Sequence, residues 1–91
     1  MRKSVQVRIE GRVQGVWFRG WTSQEASSLG LSGWVRNCRD GSVHAVFSGE
    51  PAAVDLMLMR CRKGSPMARV DDIKYEPCQP PQAGFAQLPT A

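Results

Sequence analysis

The stretch from Val5 to Leu29 constrains this chain most, because it runs from a strand pattern through a glycine-flanked loop into a helix pattern. Val5, Val7 and Ile9 alternate with Gln6, Arg8 and Glu10, the period-2 signature of a half-buried strand. The following residues, Gly11 to Arg19, read GRVQGVWFR. Gly11 and Gly15 let the backbone take positive φ or approach a bound group closely, so successive amides can converge on one anion. A helix beginning at the far end of such a loop adds unpaired N–H groups and the positive end of its dipole. Arg19 closes the loop with a planar fork of donors matched to two phosphate oxygens. The stretch therefore predicts an anion-binding strand-to-helix loop.

Phe18, Thr22, Ala26 and Leu29 recur at helical spacing and Gly30 follows as a C-terminal cap. Thr22 and Glu25 also fit a capping box, but the anion loop requires helical amides near Phe18 and Arg19, so the earlier start is preferred. Leu31–Cys38 and Ser42–Ser48 read as strands, and the Asp40-Gly41 pair between them predicts a hairpin. Pro51 suits a first helical turn, Val54, Met57, Leu58 and Cys61 form an apolar stripe, and Arg60, Arg62 and Lys63 close the last turn. Gly64, Ser65 and Pro66 break the chain before a strand over Ala68–Glu76, where Asp71-Asp72 interrupts the alternation and predicts a bulge. Beyond Pro77 only Gly84–Leu88 is free of proline long enough for a short edge strand, and the last two or three residues are expected to be mobile.

The resulting order is strand, helix, strand, strand, helix, strand, with a short tail strand. It predicts a single domain over residues 1–91, of α+β class, a ferredoxin-like two-layer sandwich (βαββαβ) with two helices on one face of an antiparallel sheet.

With 91 residues the chain has material for one core. Cys38, Cys61 and Cys78 are widely spaced and only His44 is available beside them, which argues against a zinc site and for reduced, apolar cysteines in a cytoplasmic protein. No apolar run reaches membrane-spanning length, and the N-terminal residues pass directly from two basic side chains into a strand pattern, without a signal-peptide core. The net charge of +4, carried largely by arginine, favours anionic partners, either a small metabolite or a nucleic acid.

Two blocks identify a family: Ile9–Arg19, IEGRVQGVWFR, and Gly33–Gly49, GWVRNCRDGSVHAVFSG. Both resemble the signatures of acylphosphatase, with the glycines, Val13, Gln14, Phe18, Arg19, Trp34, Asn37 and Val43 at matching spacing. Ala26, Leu29, Gly30 and the turn at Gly64–Pro66 are similar as well. The likeness covers about residues 5 to 76, and the proline-rich tail departs from it without touching a site residue. The resemblance implies strand order 4-1-3-2 with a fifth strand at the edge, and hydrolysis of the mixed anhydride of a carboxylic acid and phosphate without metal or cofactor. It also implies that the amides of Gln14, Gly15, Val16, Trp17, Phe18 and Arg19, with the Arg19 side chain, bind the phosphate, and that Asn37 positions the attacking water. An amide has no pKa suited to general-base work, so orienting water is the chemistry open to Asn37. A monomer acting on a small acyl phosphate, with inorganic phosphate or sulfate as product or inhibitor, is expected.

Two rival readings fit parts of the sequence. An RNA-binding module of the same strand order would carry stacking aromatics on its central strands, whereas the first strand has none and Phe47 alternates with core residues. Trp17, Trp21 and Trp34 form a conceivable platform, but Trp17 and Trp21 border the loop and are expected to wall the site or pack at the sheet edge. A phosphate-binding relative without catalysis is the second rival, which the sequence separates poorly from the enzyme because Arg19 and Asn37 are both present.

Overall fold

The computed structural model describes residues 1–91. Its elements are β1 (Lys3–Arg12), α1 (Phe18–Ser28), β2 (Ser32–Asn37), β3 (Val43–Gly49), α2 (Pro51–Lys63), β4 (Arg69–Pro77) and β5 (Phe85–Gln87). They form one sheet in the order β4-β1-β3-β2-β5. The first four strands pair antiparallel, as expected, but β5 joins β2 in parallel, with Val35 opposite Gln87. The sheet is therefore mixed. The reason lies in the tail: the long segment after β4 carries the chain across to the far edge, so its last strand arrives running in the direction of β2.

The expected alternation sets which face is buried. Val5, Val7 and Ile9 of β1, Val35 of β2, Val43, Ala45 and Phe47 of β3, and Ile73 of β4 face the helices and close one core with Phe18, Ala26, Val54, Met57, Leu58 and Cys61. The stripe expected on α2 is thus the stripe that is buried. Helix α1 begins at Phe18, which leaves Thr22 fully buried within the helix and not at its cap. Glu25 instead accepts from Arg60 Nη1 at 3.1 Å, joining α1 to α2. At the other end, Leu31 N–H donates to the Ala26 carbonyl and Gly30 N–H to that of Ser27, both at 3.0 Å, the paired bonds of a Schellman close.

The bulge lies where Asp71-Asp72 predicts it. Glu10 pairs with Asp72 and Gly11 with Val70, which leaves Asp71 as the extra residue. This changes the meaning of Gly11, which belongs to β1 and not to the anion loop. Its φ is 132°, and a Cβ there would collide with the Arg69 carbonyl oxygen and stand 2.7 Å from the Asp71 nitrogen. Backbone strain and backbone collision act together, so Gly11→Ala is expected to lower stability by roughly 2–4 kcal/mol. Chemical denaturation checks this; a loss below about 0.5 kcal/mol, the usual range of a neutral surface change, would show that the bulge tolerates a side chain.

The tail is also more ordered than its composition suggests. Phe85 stacks on Phe47 with ring centroids 5.8 Å apart, and Leu88 N–H donates to the Val35 carbonyl at 2.8 Å. The last residues do not hang free: Ala91 N–H donates to the Asn37 carbonyl and the Ala91 carbonyl accepts from Arg39 N–H, each at 3.0 Å.

Candidate active site

Residues 13–17 connect β1 to α1 and turn through two left-handed positions, Gly15 at φ 73° and Trp17 at φ 60°. Left-handed turns of this kind let successive amides converge on one side of a loop. The first bond of α1 runs from Trp21 N–H to the Trp17 carbonyl at 3.0 Å, and no backbone amide from Gln14 to Gly20 donates to a protein acceptor. Free amides therefore continue from the loop into the helix N-terminus, whose first turn carries no acidic side chain to compete for an anion.

A cavity of about 170 Å³ lies against these amides, lined by Gln14, Gly15, Trp17, Phe18, Arg19 and Asn37 among others. Five of the six loop residues expected to bind phosphate thus line one concavity together with Asn37. Val16 is the exception: its side chain packs against the core, so only its backbone is available.

Asn37 is brought there by strand register. It pairs with Val43, an inward-facing core residue, so its side chain points to the helix side of the sheet at the end of β2. Its Oδ1 is buried and has no protein hydrogen-bond partner. Buried polar atoms are seldom left so, and this one borders the free amides.

The turn after Asn37 is fastened on both sides. Asp40 Oδ1 accepts from Ser42 N–H at 3.0 Å and from the Ser42 hydroxyl at 2.6 Å, and Arg8 forms an ion pair with the same carboxylate. The Ser42 hydroxyl, its backbone N–H and then the Arg8 guanidinium hold the Asp40 carboxyl down at about 2. Because that value is depressed, the stabilisation is present above the ordinary carboxylate pKa and fades as pH falls toward about 2. From the loop side, Gln14 Nε2 donates to the carbonyls of Cys38 and Ser42 at 2.7 and 2.8 Å. The Gln14 side chain is therefore a stitch between loop and hairpin, which leaves its amide for an anion.

The tail, expected to lie clear of the site residues, enters the site. Arg19 Nη1 donates to the Leu88 carbonyl at 3.1 Å, and Gln87 lines the cavity. Nothing in the side chains around Leu88 signals this, because the acceptor is main chain. One edge of the guanidinium is thus anchored, and the remaining donors are available to a ligand.

Elsewhere, burial first and Glu25 second push the Cys61 thiol up to about 12, far from a reactive thiolate. No group of three or more His, Cys, Asp or Glu side chains is placed to hold a metal ion. On the open face of the sheet, Trp34 is engaged by its neighbours, with the Arg36 guanidinium 4.9 Å from its ring centroid and His44 edge-on at 5.1 Å.

The acylphosphatase family model matches residues 5–86, reaching into the tail beyond the two signature blocks. An acylphosphatase of Rhodospirillum rubrum is 56% identical over 89 residues, covering 97% of this chain and 98% of the relative. The solved acylphosphatase of Coxiella burnetii superposes with a TM-score of 0.91 at 30% identity, covering 96% of this chain and 93% of that one. That of Bacillus subtilis gives 0.89 at 31% identity over 97% and 99%. The chain belongs to the acylphosphatase family and is a hydrolase of acyl phosphates.

Proposed function

We propose that the amides of residues 14–19 and the Arg19 guanidinium hold the phosphoryl group of the substrate while Asn37 orients the attacking water. The observation that carries this reading is the unbroken run of amides from Gln14 to Gly20 without protein acceptors, curved around a cavity that Arg19 and Asn37 share. The water oxygen attacks phosphorus as the bond from phosphorus to the acyl oxygen breaks. The carboxylate leaves with that bond's electron pair, and the water proton passes to a phosphoryl oxygen, giving orthophosphate. A carboxylate is a good leaving group and a phosphoryl oxygen accepts the proton, so positioning and charge stabilisation suffice. Neither an activated thiol nor a metal has a part in this scheme.

The same reading takes the chain as a single-domain, monomeric, cytoplasmic enzyme of small acyl phosphates that binds no nucleic acid. No helix is long and apolar enough to cross a membrane, and the three cysteines are free. The engagement of Trp34 by Arg36 and His44 speaks against a base-stacking platform on the open sheet face.

The test is release of orthophosphate from acetyl phosphate in excess chelator, before and after alkylation of accessible cysteines. Turnover is expected to survive both treatments. Inactivation by the chelator that one divalent metal reverses would overturn the metal-free scheme.

A further inference from the structure

The cavity is small. At about 170 Å³ it falls below the roughly 300–1,000 Å³ of pockets that enclose drug-sized ligands, so a phosphoryl group held by the loop leaves the acyl group at the mouth. What stands at the mouth is Trp17, which lines the cavity yet is 63% exposed.

Two sequence choices hold it there. Trp17 is the only residue other than glycine with positive φ, a conformation that a bulky side chain adopts only when its surroundings impose it. Gly20, three residues on, is buried within the first turns of α1, where glycine is a poor helix former. The explanation is the indole: a Cβ on Gly20 would collide with Trp17 Nε1 and Cε2 and lie 2.7 Å from Cζ2. The ring thus rests on the Gly20 backbone, leaving much of its surface to solvent. An exposed, positioned indole beside a phosphoryl site is suited to an apolar, flat group.

We propose that Trp17 is a specificity-determining residue whose indole forms the platform for the acyl group, selecting acyl phosphates with an aromatic acyl moiety over acetyl or carbamoyl phosphate. The inference rests on the loop as the phosphoryl cradle, and Gly20 acts through Trp17 as a positioning residue.

The experiment compares kcat/KM for benzoyl phosphate with that for acetyl phosphate, as a ratio within each variant, so that damage to the shared phosphoryl cradle cancels. The wild-type ratio is expected to exceed one, and Trp17→Gly, which also relieves the left-handed strain, to lower it about tenfold, the discrimination that a modest apolar contact supplies. Trp17→Phe is expected to keep most of the preference. Gly20→Ala, which favours the helix but displaces the indole, is expected to lower the ratio without altering Trp17, and it decides the matter if Trp17→Gly fails to fold. An unchanged ratio in Trp17→Gly or, failing that, in Gly20→Ala overturns the proposal. Arg19→Ala, measured on both substrates, separates the two readings: if it leaves both turnovers intact, the cradle assignment itself has failed.

Discussion

Replacing Arg19 by lysine is expected to cost nearly as much turnover as replacing it by alanine, on the order of 3 kcal/mol in the transition state, roughly a hundredfold in rate. The reason is geometric. One edge of the Arg19 guanidinium is held by the Leu88 carbonyl at 3.1 Å, and that contact aims the remaining donors at the cavity. Lysine keeps the charge, but a single ammonium cannot bond the tail and also present a planar pair of donors to two phosphoryl oxygens. Because the free loop amides remain, both variants should retain weak affinity for orthophosphate. The check is kcat together with the inhibition constant for orthophosphate in each variant. A lysine variant with turnover near wild type would show that only net charge matters at this position.

The second large effect is at Asn37, where activity is expected to fall while stability holds. Its buried Oδ1 has no protein partner and borders a cavity roomy enough for water. Asn37→Ala breaks no side-chain hydrogen bond within the protein, so the melting temperature should stay close to wild type. Turnover should fall by about a hundredfold, as for loss of a preorganised polar group that acts in the transition state. Orthophosphate inhibition should hold close to wild type, because an interaction realised mainly in the transition state contributes little to ground-state binding. Retained turnover, or parallel loss of anion binding, would make Asn37 a structural residue or a phosphate ligand.

Much of this arrangement was legible in the residues because each part is local. The β1 alternation, the Asp40-Gly41 turn and the α2 stripe are short-range patterns, and each occurs where it was expected. The spacing of the two signature blocks picks out Arg19 and Asn37, which β2–β3 pairing and the start of α1 bring to one cavity. The misreadings share one physical cause: they depend on main-chain partners distant in sequence. Gly11 looked like part of the loop, but the β4 backbone packs against it. The tail looked loose because its prolines forbid a long strand, yet three residues of β5, the Phe85–Phe47 stack and main-chain bonds up to Ala91 suffice to dock it. The Leu88 carbonyl that steadies Arg19 has no side-chain signature at all. The preferred earlier start of α1 is the one observed, with Thr22 buried inside the helix.

In the proposed phosphoryl cradle, the amides of the β1–α1 loop and Arg19 surround one anion and face Asn37. It is tested most directly by a crystal structure of the protein grown with orthophosphate. The anion is expected within hydrogen-bond distance of amides in the 14–19 run and of the Arg19 guanidinium, with the Asn37 carboxamide bordering it across the cavity. An anion bound elsewhere on the basic surface while this cavity holds only solvent, at phosphate concentrations that inhibit turnover, would contradict it.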